Sequence, residues 1–319
     1  MAISFFYEKR IPLFQTNKPE NKAMIHADLH IHSHYSSDGE FDITTLANRC
    51  ANQKVDYFSL TDHNSVKGTP EAILHAQHLG LHFIPGIEID CNYEGTDLHI
   101  LGYHIDWKSG DFQELEKSIS SKVMDSFSEM IGNLHKLGFT IDAEAVLAKA
   151  NGKLPTGELI AEVMLSDKKY DSPLLAPYQK GGARSDMPYI NFYLDYFAQH
   201  KPAFVPIRYM SFREAVELIK TNSGIPVVAH PGLNLKGRES IVEQLLDKGA
   251  EGLEVFNNYH NPEQINYFAS LIRQKKAIMT CGSDFHGKTK PLIQIGQYHF
   301  SNQYEKELQL SLRQIRNKS

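Results

Sequence analysis

The chain has 319 residues, is 41% apolar, and carries 33 Lys and Arg against 38 Asp and Glu, for a net charge of −5. That length supports one large core, or one domain with a sizeable insertion. The mild acidity excludes a global electrostatic pull on nucleic acid or acidic membranes, so any anionic substrate must be attracted locally.

The N-terminal stretch, residues 1–24, lacks the apolar segment of a signal peptide and reads as an extension lying along the surface. Short, apolar, β-branched runs then predict strands at 25–31, 55–60, 82–88, 97–103, 225–229, 252–256 and 277–281. Amphipathic patterns between them predict helices, among them ITTLANRCANQK, TPEAILHAQHLG, SFREAVELIKTNSG, SIVEQLLDKG and PEQINYFASLIRQKK, with Gly80, Gly224 and Gly249 placed as C-caps. The repeating β/α order predicts a parallel sheet with helical crossovers, and seven units favour a barrel over an open sheet. Residues 106–200 break the rhythm and read as an inserted helical subdomain between two barrel halves, 25–105 and 201–319. Cys50, Cys91 and Cys281 form no CxxC pair, which fits a reduced, cytoplasmic protein rather than a disulfide framework or zinc finger. No apolar run reaches 18 residues, so no membrane span is expected.

The sixteen histidines are unevenly placed. In HADLHIHSHYSSDG, residues 26–39, strand alternation turns Asp28, His30 and His32 one way and Leu29 and Ile31 the other. Two imidazoles converging from one strand face make a metal clamp. Asp62 and His63 follow the second strand in SLTDHNS, Glu88 closes the third in PGIEID, and His99 lies within DLHILGYHID. His230 follows a strand in VVAHPG, and Asp284 and His286 follow the last in CGSDFHG. Side chains at the carboxyl ends of barrel strands converge on one face. A core histidine satisfied by its neighbours explains any one of these, not the set. Asp28 and Asp62 read as acids that orient imidazoles, and Glu254 as a further such candidate. His26, His34, His75, His78, His82, His104, His135, His200, His260 and His299 read as structural or surface residues.

The ordered set HxH, SDG, TDH, GxE, HILG, AHPG, GSDFH resembles the PHP (polymerase and histidinol phosphatase) family of metal-dependent phosphoesterases, over residues 25–104 and about 203–290. It is closest to the bacterial branch with a helical insertion, which includes nucleoside 3′,5′-bisphosphate and nucleotide phosphatases. The resemblance implies a distorted seven-stranded (β/α) barrel and three divalent ions. By motif, His30, His32, Glu88 and Asp284 hold the first ion. Glu88 bridges to a second with His99 and His230, and Asp38, His63 and His286 hold the third. Glu88, Asp284 and His230 are the implied catalytic residues. Mixed imidazole and carboxylate ligands suit Mn²⁺, Zn²⁺ or Fe²⁺. One departure stands out: the segment where the branch carries a phosphate-gripping arginine and histidine reads KLPTGELIAEVML here, with neither. Arg184 and Arg208 are the candidate substitutes.

The expected function is hydrolysis of a small phosphomonoester, in the first place a nucleotide, by metal-activated hydroxide. No membrane and no stable nucleic-acid complex is expected. The competing readings are a phosphodiesterase trimming oligonucleotides, an amidohydrolase, which also begins with HxH but does not call for the SDG, TDH and terminal DxH positions, and a non-catalytic accessory module.

Overall fold

The computed structural model describes residues 26–318; the extension expected over 1–24 lies outside the described residues. In chain order the elements are β1 (Ala27–Ile31), α1 (Ile43–Asn52), β2 (Tyr57–Leu60), α2 (Thr69–Leu79), β3 (His82–Phe83), β4 (Gly86–Tyr93), β5 (Thr96–Tyr103), α3 (Gly110–Lys136), α4 (Ala143–Ala150), α5 (Gly157–Ser166) and α6 (Pro188–Tyr196). The second half adds β6 (Met210–Ser211), α7 (Phe212–Thr221), β7 (Ile225–Val228), α8 (Pro231–Asn234), α9 (Ile241–Asp247), β8 (Gly252–Phe256), α10 (Pro262–Lys275), β9 (Ile278–Cys281) and α11 (Glu305–Arg316). The fold is mixed α/β, and no described helix is long and apolar enough to cross a membrane.

The strands form two sheets, β1-β2-β3 and β6-β4-β5-β7-β8-β9, rather than one closed seven-stranded sheet. Single bridges, Ile31 with Phe285 and His63 with Glu88, link residues of one sheet to segments of the other. The expectation of an all-parallel sheet is corrected at β5, which runs antiparallel to both β4 and β7. The cause is local: only Glu94 and Gly95 separate β4 from β5, both at positive φ (50° and 82°), and a two-residue turn of that hand makes a hairpin, not a crossover. The strand expected at 82–88 also divides in two, at Ile84 and Pro85, since proline has no N–H to continue a ladder.

The helices largely follow their patterns because their ends are capped. Asp42 accepts the Thr45 amide at 2.6 Å, and capping boxes close the starts of α7 (Ser211 with Glu214) and α10 (Asn261 with Gln264). Gly80 caps α2 in the left-handed conformation as expected, but at the end of α7 Ser223 takes the positive φ (61°) and Gly224 does not. The main core joins both faces of the larger sheet to α7, α10 and α11, where burying a side chain such as Phe212, Ile219 or Phe268 contributes roughly 1.5–3 kcal/mol each. Residues 127–203 enclose a separate apolar core around Leu134, Ile160, Phe139 and Phe192. Helix α3 spans both: Phe112, Leu115 and Ile119 pack into the main core, and Phe127, Ile131 and Leu134 into the second.

Candidate metal centre

The residues singled out by the motifs arrive from β1, β4, β5 and the loops after β1, β2, β7 and β9, and they meet. Their donor atoms form overlapping groups, each within 4.8 Å: His30, His32, Glu88 and Asp284; Glu88, His99 and His230; His32, Asp38, His63 and His286. All nine expected positions are therefore brought together. Glu88 is the hinge of the arrangement. Its Oε2 lies 3.1 Å from His30 Nε2 and 3.1 Å from His32 Nε2, while its Oε1 lies 2.9 Å from His99 Nδ1 and 3.0 Å from His230 Nε2. Glu88 sits near the start of β4, not at a strand end as the sequence suggested, because the strand begins afresh at Gly86. In the third group Asp38 Oδ2 is 3.1 Å from His286 Nε2 and 3.8 Å from His63 Nε2.

The outer ring nitrogens are held. His30 Nδ1 donates to Glu254 Oε1 at 2.9 Å, His32 Nδ1 faces Ser36 Oγ at 3.2 Å, His230 Nδ1 donates to Asn234 Oδ1 at 2.5 Å, and His286 Nδ1 donates to the Asp284 carbonyl at 2.9 Å. With the proton on Nδ1, a neutral ring turns its Nε2 lone pair inward. Tyr259 OH (2.7 Å) and Lys290 Nζ (2.5 Å) occupy Asp284 Oδ2, which leaves Oδ1 facing His30 at 3.4 Å and His32 at 3.3 Å. Gly282 permits the approach of β9 to β1: a Cβ there would stand 2.2 Å from His30 Cβ and 2.7 Å from Glu254 Oε1. His230 and Asp284 hold positive φ, 22° and 58°, uncommon for residues with side chains and of the kind that gathers at functional sites.

Lone pairs of imidazoles and carboxylates converging in a buried space repel unless a cation stands between them. The buried His286 Nε2 makes no aligned hydrogen bond even though Asp38 Oδ2 stands 3.1 Å away, as expected of a nitrogen kept for a metal. Protons can substitute. Burial lowers the His30 pKa, but Glu254, Glu88 and Asp284 outweigh it and hold the ring well above its usual range. His63 is likewise raised by Glu88, Asp90 and Asp38 against its burial. His32, buried beside His286, is pushed down to about 4. Despite burial, Glu88 is held well below the usual range by His30, His63 and His99, and Asp284 by Lys290, His286 and His30. The donor set fits divalent metal ions.

Several assignments change. Asp28 and Asp62 touch backbone and Ser33, not imidazoles: Asp28 accepts the amides of Ser283 (2.9 Å) and Gly296 (2.7 Å), and Asp62 accepts Ser33 N–H (2.6 Å) and Ser33 Oγ–H (2.7 Å). They anchor the loops that carry the donors, and burial pushes Asp62 up to about 6. Glu254 does orient an imidazole, as expected. Arg184 stands outside the groups; both Asp195 oxygens take its guanidinium at 3.0 Å. Arg208 also lies outside them, exposed ahead of β6. His260 is structural, accepting the Gly232 amide at 3.0 Å. Asp90 was missed. Its Oδ1 lies 3.2 Å from His63 Nδ1 and 3.4 Å from His99 Nε2, and the three form a further metal-capable group. Strand alternation could have found it, two residues beyond Glu88 on the same face.

The PHP domain model matches residues 28–203. A 3′,5′-nucleoside bisphosphate phosphatase of Chromobacterium violaceum is 27% identical over 269 residues, covering 82% of this chain and 88% of that protein. The 5′-3′ exoribonuclease Rnm of Salmonella typhimurium is 27% identical over 282 residues, covering 87% and 90%. A solved structure from Chromobacterium violaceum titled as an amidohydrolase with bound sulfate and no metal superposes with a TM-score of 0.73 at 24% identity, over 90% of this chain and 96% of that one, a likeness of fold. With more than half of its length matched by that model, the chain belongs to the PHP domain family.

Proposed function

We propose that this metal-dependent phosphoesterase is a phosphatase that hydrolyses a small phosphomonoester, in the first place a nucleotide. The observation that carries the reading is the division of Glu88, one oxygen to His30 and His32 and the other to His99 and His230, with the Asp38 group adjoining through His32. In this reading His30, His32, Glu88 and Asp284 hold a first divalent ion, Glu88, His99 and His230 a second, and Asp38, His63 and His286 a third, with Mn²⁺, Zn²⁺ or Fe²⁺ suited to the donors. Bound there, divalent ions would supply positive charge for the phosphate and would lower the pKa of a water so that it can ionise and attack near neutral pH. The chain's own part is to keep Nε2 of His30 and His230 free by holding their Nδ1 protons on Glu254 and Asn234, and to keep Asp284 Oδ1 inward through Tyr259 and Lys290.

The two single bridges support reading the sheets as the wall of one distorted barrel, with 106–200 as an inserted lid that selects substrates and 25–105 with 201–319 as the catalytic body. A cytoplasmic site of action is part of the same reading, consistent with three free buried cysteines. The exoribonuclease name of the Salmonella relative favours a second reading, a phosphodiesterase acting on short oligonucleotides.

Loading the purified chain with Mn²⁺ and measuring phosphate released from AMP, a nucleoside 3′,5′-bisphosphate, histidinol phosphate and a short oligonucleotide tests the choice. Release from a nucleotide supports the phosphatase. Shortening of the oligonucleotide without release from any monoester moves the assignment to the diesterase.

A further inference from the structure

His260 lies in none of the donor groups, yet it is wholly buried and both of its ring nitrogens are committed. Nδ1 is 2.9 Å from the Val255 carbonyl oxygen, and Nε2 is 3.0 Å from the Gly232 amide nitrogen. A carbonyl accepts and an amide donates, so the proton sits on Nδ1 and the Nε2 lone pair faces Gly232. Burial lowers the pKa of the ring, which keeps it in that neutral form. Phe268 packs against the ring with centroids 5.0 Å apart, and His299 Nδ1 donates to the His260 carbonyl at 2.8 Å, so ring and backbone are both fixed.

Gly232 stands two residues after His230, in a turn that needs outside support. His230 is at φ 22° and ψ 59°, a sparsely populated conformation that persists only where its surroundings over-determine it. Pro231, between them, has no N–H. The two amides that the turn does possess go to side chains from β8 and the loop after it. His230 N–H donates to Glu254 Oε2 at 2.8 Å, and Gly232 N–H donates to His260 Nε2. Only glycine allows that approach: a Cβ at 232 would stand 2.5 Å from His260 Cδ2 and 3.0 Å from Gln264 Nε2. The turn in its held form places His230 Nε2 3.0 Å from Glu88 Oε1.

We propose that His260 is a positioning residue for the group of Glu88, His99 and His230: a buried neutral acceptor that holds Gly232 N–H and with it the strained turn that points His230 at Glu88. It acts through the backbone and touches neither ion nor substrate. The inference rests on the donor map of the phosphoesterase reading and adds what keeps one of its members in place.

The test is calorimetric titration of the full chain with Mn²⁺. His260→Leu, apolar and of similar bulk, should weaken binding by about tenfold or more. His260→Gln, whose Oε1 can stand where Nε2 stood, should retain most of the affinity. In a His230→Ala chain, His260→Leu should weaken the remaining ions no further, which separates positioning of His230 from a general loosening of the fold. Wild-type affinity in His260→Leu, or an undiminished effect in the His230→Ala chain, would overturn the proposal. Should His260→Leu fail to fold, imidazole ¹⁵N spectra of the metal-free wild type decide, with the ring assigned by the signals lost in His260→Gln. A proton on Nδ1 and an Nε2 accepting a hydrogen bond is the expected state; a proton on Nε2 rejects the proposal. If His230→Ala binds Mn²⁺ as the wild type does, the donor map itself fails, and the same spectra judge the His260 contact separately.

Discussion

Glu254 Oε1 accepts from His30 Nδ1 at 2.9 Å, with both side chains wholly buried. The other oxygen of Glu254 accepts the His230 amide at 2.8 Å, so one acid from β8 sets donors from β1 and from the start of α8. Glu254→Gln keeps the size but removes the charge that makes His30 a stronger base. Mn²⁺ affinity should fall by about 10–100-fold with the fold intact. Calorimetric titration of the metal measures this, and unchanged affinity would remove Glu254 from the site.

Glu88→Gln should do more. The substitution takes negative charge from two donor groups at once, so metal content should drop and phosphoesterase activity fall by about 10³-fold or more. Metal analysis beside the steady-state rate checks both, and circular dichroism should remain that of the wild type. Full activity in this variant would mean that the donor map is wrong.

Asp90→Asn probes the residue that the motifs did not reveal. Asp90 stands between His63 and His99, and Asn64 Nδ2 fixes its other oxygen at 2.8 Å. The expected result is a metal affinity lowered by about tenfold or more, a smaller loss of activity than in Glu88→Gln, and a fold that persists. A loss equal to that of Glu88→Gln would instead make Asp90 a direct donor.

The metal-free protein should lose stability as pH rises above the ordinary imidazole value of 6.5. His30, His63 and His99 have raised folded-state pKa values, so their contribution is present below 6.5 and is lost as pH climbs through those raised values. His32, held near 4, acts in the opposite sense between 6.5 and 4 but is one group against three. Glu88 and Asp284 are lowered, so their contribution is present above the usual carboxylate range and disappears only in strong acid. Mn²⁺ must displace the imidazole protons, so it should raise the melting temperature more at pH 8 than at pH 6. Thermal melts with chelator and with Mn²⁺ at the two pH values measure it; an equal rise at both would contradict the protonated-imidazole account.

The local chemistry was legible in the sequence because it repeats with the period of a strand. HxH declares one face, TDH and AHPG and SDFH stand where apolar runs stop, and the helices announce their caps. Glu254 was legible for the same reason, as a lone acid in the apolar run GLEVF. Asp90 was not singled out, because in PGIEID the stronger signal of Glu88 lies two residues away.

By itself, then, the sequence determined the mixed α/β class, the donor types and their order along the chain, because these follow from short-range periodicity and side-chain chemistry. Only the tertiary structure decided that β5 runs antiparallel, that each oxygen of Glu88 meets a different pair of imidazoles, that Asp28 and Asp62 hold loops, and that Asp195 takes Arg184. Those outcomes depend on which distant segments come within about 3 Å of one another, and hydrogen-bond and charge partners at that range are set by packing, which no local pattern encodes.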